Sequence, residues 1–124
     1  FLRKSVGGTV RWFRQYEGFV RASLRLAQMR PETWSPMKET GARYAAAVEP
    51  IVMRIVGRPG SARVGEATRF AVQLMLGMLH SMVLIDPGPC RLHEDRTIEM
   101  LSRTMADVIE AAAGAPPRPR AKRR

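Results

Sequence analysis

FAVQLMLGMLHSMVLI, residues 70–85, is the stretch on which the fold of this chain turns. Of its sixteen residues only Gln73, His80 and Ser81 carry polar side-chain groups, so a helix built from it needs cover on almost every side. A chain of 124 residues builds one modest core, which covers one face of such a helix and not all of it. The pattern therefore predicts burial against the chain's own fold on one face and against a second chain on another. A bilayer span needs about 20 apolar residues, and Asp86, Pro87, Gly88 and Pro89 close this run, so the two-sided helix is expected without a membrane partner.

Working outward, the composition is 45% hydrophobic and 26% charged, and turn signals are far apart, which predicts an all-α domain. The net charge of +10 is uneven. Residues 1–30 carry seven positive charges against Glu17 alone, residues 118–124 carry five more, and residues 61–117 sum to −2. Cys90 is the only cysteine, which excludes an internal disulfide and makes a cytoplasmic setting the expectation. Residues 1–30 lack the apolar segment and cleavage site of a secretion signal. The chain opens at Phe1 inside an amphipathic stretch, so it is expected to be the C-terminal part of something longer.

Before the apolar run, Leu2, Val6, Val10, Phe13, Val20, Leu24 and Ala27 recur at helical spacing. Gly7-Gly8 and Gly18 predict two or three short helices over residues 1–29. Ser35-Pro36 reads as an N-cap followed by proline at the first helical position. Met37, Gly41, Tyr44, Val48, Ile51 and Ile55 form a narrow seam along the next helix, which Pro50 should kink. Residues 57–61, GRPGS, break the chain before a helix from about Ala62 to Ile85. The last helix sets Ile98, Leu101, Met105, Val108 and Ala112 opposite Glu99, Arg103, Asp107 and Glu110. The helical domain is expected over 1–113, with 114–124 a disordered basic tail.

Catalytic chemistry finds no pattern here, and no enzyme is expected. His80 and His93 stand apart from any metal-ligand spacing, no glycine-rich phosphate loop occurs, and neither metal nor cofactor is expected. Two features suggest recognition of a small molecule. Met75, Met78 and Met82 make a flexible, polarisable stripe suited to apolar guests or to core filling. Trp12, Tyr16, Trp34 and Tyr44 add aromatic surface with polar handles, and His80 is either a ligand contact or a core histidine satisfied by a carbonyl.

The order of these parts resembles the C-terminal ligand-binding and dimerisation domain of tetracycline-repressor (TetR) family transcription regulators. WFRQYEGFVRASLRLAQMRPE is similar to that family's central helix pair and RYAAAVEPIV to the next long helix. FAVQLMLGMLHSMVLIDP resembles its penultimate helix, which ends in an Asp-Pro turn, and TIEMLSRTMADVIEAA its last. The resemblance implies an antiparallel helical bundle whose last two helices form a four-helix contact in a homodimer, through Phe70, Leu74, Gly77 and Ser81 with Ile98, Leu101, Met105 and Val108. It implies an effector pocket for a small apolar or amphipathic molecule, at Trp12, Tyr16, Trp34, Tyr44, Met75, Met78 and Met82 with His80 as a polar contact. Periodicity does not fix which face of residues 62–85 lines that pocket, so the methionine stripe belongs either there or at the dimer contact. The family's DNA-reading helix-turn-helix is not in this sequence, so DNA contact is expected only through a missing N-terminal domain. The other reading is a freestanding helical interaction module whose basic ends touch nucleic acid or an acidic partner.

Overall fold

The computed structural model describes residues 1–85 and 88–114, and among them the chain is all-helical. In chain order the helices are α1 (Leu2–Gln15), α2 (Glu17–Met29), a short 3-10 turn (Pro31–Trp34), α3 (Ser35–Ile55), α4 (Ala62–Leu84) and α5 (Arg96–Gly114). The apolar run lies in α4, and α4 is the centre of the bundle. It packs on α5, α3 and α2, while α1 reaches the bundle mainly through α5.

One side of α4 is core: Ala71, Val72, Met75, Leu79, Met82 and Val83 are buried. They meet Val20 and Leu24 of α2, Ala45, Val48 and Val52 of α3, and Leu101, Met105 and Ile109 of α5 in one cluster, which Val6, Val10 and Phe13 of α1 complete. By length and mean hydropathy α4 would also meet the requirements of a membrane span, but 39% of its apolar window is buried inside this fold.

Local chemistry sets the boundaries. Gly57 and Gly60 have φ of 67° and 73°, values that a side chain disfavours, and they turn the chain between α3 and α4. Ser61 caps α4 by accepting a hydrogen bond from the Val64 amide at 3.3 Å. Residues 2–29 do form two consecutive helices, as expected, but the break falls at Tyr16 and not at the glycines. Helix α1 runs through both N-terminal glycines, because Gly7 is buried where α1 crosses Ile98 of α5, and the chain turns instead at Tyr16. Ser35 is not an N-cap: it already has helical dihedrals, and the 3-10 turn from Pro31 leads directly into α3. That helix continues through Pro50 to Ile55. The expected seam along it divides, since Ala45, Val48 and Val52 face the core whereas Ile55 is exposed.

Interhelical polar contacts supplement the core. Arg69 Nη1 donates to both carboxylate oxygens of Glu49, at 2.8 and 2.7 Å, tying α4 to α3. The Glu49 side chain lies directly against Gly65, in the space a Cβ would take. Truncating Leu79, which is fully buried, should cost about 2–5 kcal/mol. Urea unfolding of Leu79→Ala measures this, and a loss below 1 kcal/mol would contradict the central place given to α4.

Candidate functional site

Helices α1 and α3 both lean on the bundle yet do not pack closely on each other, and the space between them is an open cleft of about 560 Å³. Helix α1 supplies Lys4, Ser5, Gly8, Thr9, Trp12 and Phe13 to one wall. Met37, Thr40, Gly41 and Tyr44 of α3 form the other, Leu76 and His80 of α4 the floor, and Phe19 of α2 one end. Small residues, Gly8 on α1 and Gly41 on α3, keep part of this space open between the larger side chains. Nothing lies within 4 Å of where a Cβ on Gly8 would be, and Gly41 lets Leu76 come to 3.4 Å of its own Cβ position.

Its two ends differ in chemistry. At one end the hydroxyls of Ser5 and Tyr44 share a hydrogen bond of 2.5 Å, which bridges α1 to α3. At the other the His80 ring sits between aromatics, 5.5 Å from Phe13 and 5.4 Å from Trp34 between centroids, the Trp34 contact being edge-on. Among the described residues the imidazole has these ring contacts and no hydrogen-bond partner. Burial pushes its pKa below the ordinary 6.5, so His80 is neutral at pH 7 and its ring nitrogens remain available to a guest. In the mid-cleft, Thr9 Oγ1 donates to the Ser5 carbonyl at 3.1 Å and Thr40 Oγ1 to the Pro36 carbonyl at 2.9 Å. Each threonine thus spends its proton on its own helix.

Of the residues expected at a pocket, Trp12, Tyr44 and His80 line this cleft and Trp34 backs the His80 ring. Tyr16 is exposed, with its ring 5.2 Å from that of Trp12. The methionine stripe is elsewhere. Met75 and Met82 are buried toward α5, and with Met78 they border a separate groove of about 250 Å³ against Met100, Leu101 and Met105. The two sets cannot serve one pocket, because Met75, Met78 and Met82 lie on faces of α4 turned away from Leu76 and His80. Cys90 lies at the edge of that groove, its thiol 3.1 Å from Met100 Sδ.

The expected dimer residues also divide. Phe70, Leu74 and Gly77 are exposed on the outer face of α4, and Ser81 and Val108 are half-buried. Leu101 and Met105 are spent inside the protomer core, and Ile98 packs on Gly7 of α1. Met78 and Met100 extend the outer apolar face, exposed by 43% and 48% beside Phe70 at 52%. Of the expected tail 114–124, Gly114 is the last residue of α5, and residues 115–124 lie outside the described residues.

Several arginines that read as a solvated basic face instead hold the connection before α5. Arg14 of α1 donates to the carbonyls of Leu92 and Glu94, at 2.6 and 2.9 Å. Arg21 of α2 donates to the Val83 carbonyl at 3.1 Å, at the end of α4 where such groups lack helical partners, and to Glu17 at 2.8 Å. Glu17 also meets His93 Nε2 at 2.8 Å, and this hydrogen bond, followed by Arg21, holds its carboxyl below the usual 4.5 against the opposing effect of burial. Among the described residues no three His, Cys, Asp or Glu side chains come close enough to hold a metal ion.

No family model, curated protein or solved structure matches this chain.

The lowered pKa of His80 carries a sign. The unfolded chain takes up the proton more readily than the folded one, so this contribution to stability is whole above about pH 6.5 and is lost as pH falls through the lower folded value. NMR titration of His80 should give a midpoint below 6.5; a midpoint at or above it would contradict the burial described. Replacing Arg14 with Met should cost on the order of 2 kcal/mol, as two carbonyls lose a charged donor. Amide exchange at residues 92–95 should quicken, and unchanged exchange there would show that the loop is held by other means.

Proposed function

We propose that this chain is the effector-binding and dimerisation domain of a transcription regulator of the tetracycline-repressor kind. A small amphipathic molecule occupies the cleft between α1, α3 and α4, and the outer apolar faces of α4 and α5 pair with those of a second copy. DNA contact belongs to a helix-turn-helix domain preceding these residues. The observation that carries the reading is that one helix serves both surfaces. Leu76 and His80 floor the cleft while Phe70, Leu74 and Met78 stand exposed on another side, with Leu74 and Leu76 about 200° apart around the axis. A guest that tilts α4 moves the pairing face with it, because α4 is one unbroken helix. Coupling of this kind needs the guest to favour one arrangement, typically by about 1–3 kcal/mol.

The all-helical bundle, the sequence order of its helices and the apolar groove along α4 and α5 support this reading. Two experiments test it. Sedimentation equilibrium should find a dimer for the wild type and a monomer for Gly77→Leu with Ser81→Leu, since two leucines overpack a surface on which Gly77 has nothing within 4 Å. A wild-type monomer at tens of micromolar, or a fully dimeric double variant, removes the assigned face. The reading frame upstream of Phe1 tests the regulator assignment: a helix-turn-helix segment upholds it, and a start codon immediately before Phe1 overturns it.

A further inference from the structure

We propose that the cleft selects an elongated carboxylate, with its head at Lys4, Ser5 and Tyr44 and its apolar body along Trp12, Phe13 and His80. This rests on the reading of the cleft as a ligand site and names the chemistry of the guest.

Hydrogen-bond supply defines the polar end of the cleft. The Ser5 and Tyr44 hydroxyls have two protons between them, and their mutual bond uses one, which leaves one O–H to donate outward. The Thr9 and Thr40 protons are committed to helix carbonyls. Lys4 is the one charged residue lining the cleft, no carboxylate lines it, and among the described residues Lys4 has no ion-pair partner. Its neighbour Arg3 pairs instead with Glu99 at 3.3 Å, toward α5. The Ser5–Tyr44 end therefore offers an ammonium and a free hydroxyl proton, a donor set that fits an anionic oxygen pair and repels a cation.

The far end fixes the rest of the guest. Trp12, Phe13, Phe19 and a neutral His80 give it an aromatic wall without charge. From Ser5 to Phe13 along α1 is about 12 Å at 1.5 Å per residue, so the guest is a chain or a fused-ring body rather than a compact acid. The volume of about 560 Å³ lies within the usual span of small-molecule sites, roughly 300–1,000 Å³.

Isothermal titration at pH 7.5 with decanoate, decan-1-ol and decyltrimethylammonium tests this on the full chain. Decanoate should bind at least ten-fold more tightly than the alcohol, and the cation most weakly. Lys4→Gln should bring decanoate down to the level of the alcohol without changing the alcohol itself, and Tyr44→Phe should weaken decanoate several-fold. Gly8→Leu fills open space in the cleft, since nothing lies within 4 Å of that Cβ position, and should abolish binding of all three compounds with helicity retained. Equal affinity for decanoate and decanol, tight binding of the cation, or indifference to Lys4→Gln overturns the carboxylate assignment while the cleft remains a ligand site. Decanoate binding that survives Gly8→Leu places the guest on the outer apolar face, and absence of binding by all three overturns both readings.

Discussion

The burial of α4 is the constraint on which the rest of the structure depends. Met75, Leu79 and Ala71 are 0–1% exposed, and three helices, α5, α3 and α2, all lie on it. Each large buried side chain contributes about 1.5–3 kcal/mol through the hydrophobic effect. A bundle of this size has few such groups to lose. Helices α3 and α5 are placed by the two core-facing sides of α4, and α1, which sits chiefly on α5, inherits its position from them. The cleft is the remainder of that arrangement, because α1 and α3 are each fixed by a different partner and small residues fill the gap between them only in part.

The basic residues show a second economy. Arginine side chains that count toward the net charge of +10 reach across to other elements at Arg14, Arg21 and Arg69, where they satisfy carbonyls or a carboxylate. Guanidinium suits this work because it presents several donors in a fixed plane and stays charged when half-buried. A high arginine count is thus partly a description of how the loop before α5 is held, and its electrostatic field is less uniform than a sum of charges implies.

What could be read from sequence follows from how far each signal reaches. The helix over residues 62–84, the turn at Gly57–Gly60 and the solvated back of α5 are legible because apolar period and turn chemistry act locally. That residues 2–29 form two helices is legible, but the position of the break is not: glycine is both a weak helix former and a point of close approach, and at Gly7 only the presence of Ile98 opposite it tells which. Separating the methionines from the aromatics needs the rotation of α4 about its axis, which three apolar faces of similar strength leave open. Lys4, Ser5 and Phe19 are missed as cleft residues because the sequence does not show which faces of α1 and α2 meet α3, although Gly8-Thr9 on α1 and Gly41 on α3 are a usable sign. Small residues on two helices that both pack against a third leave a space that neither can fill.

The placement of α1 has a kinetic meaning. Its main partner, α5, lies some ninety residues away in the chain, whereas α3, α4 and α5 contact their sequence neighbours. Docking α1 closes the longest loop in the molecule and carries the largest entropic cost of any helix pairing here. Topology therefore predicts that α3, α4 and α5 assemble first and that α1, one wall of the cleft, docks late. Any molecule held between α1 and α3 would bind only the completed form and would stabilise it by mass action. The cleft and the docking of α1 are thus one feature, since whatever releases α1 from α5 removes a wall of the cleft.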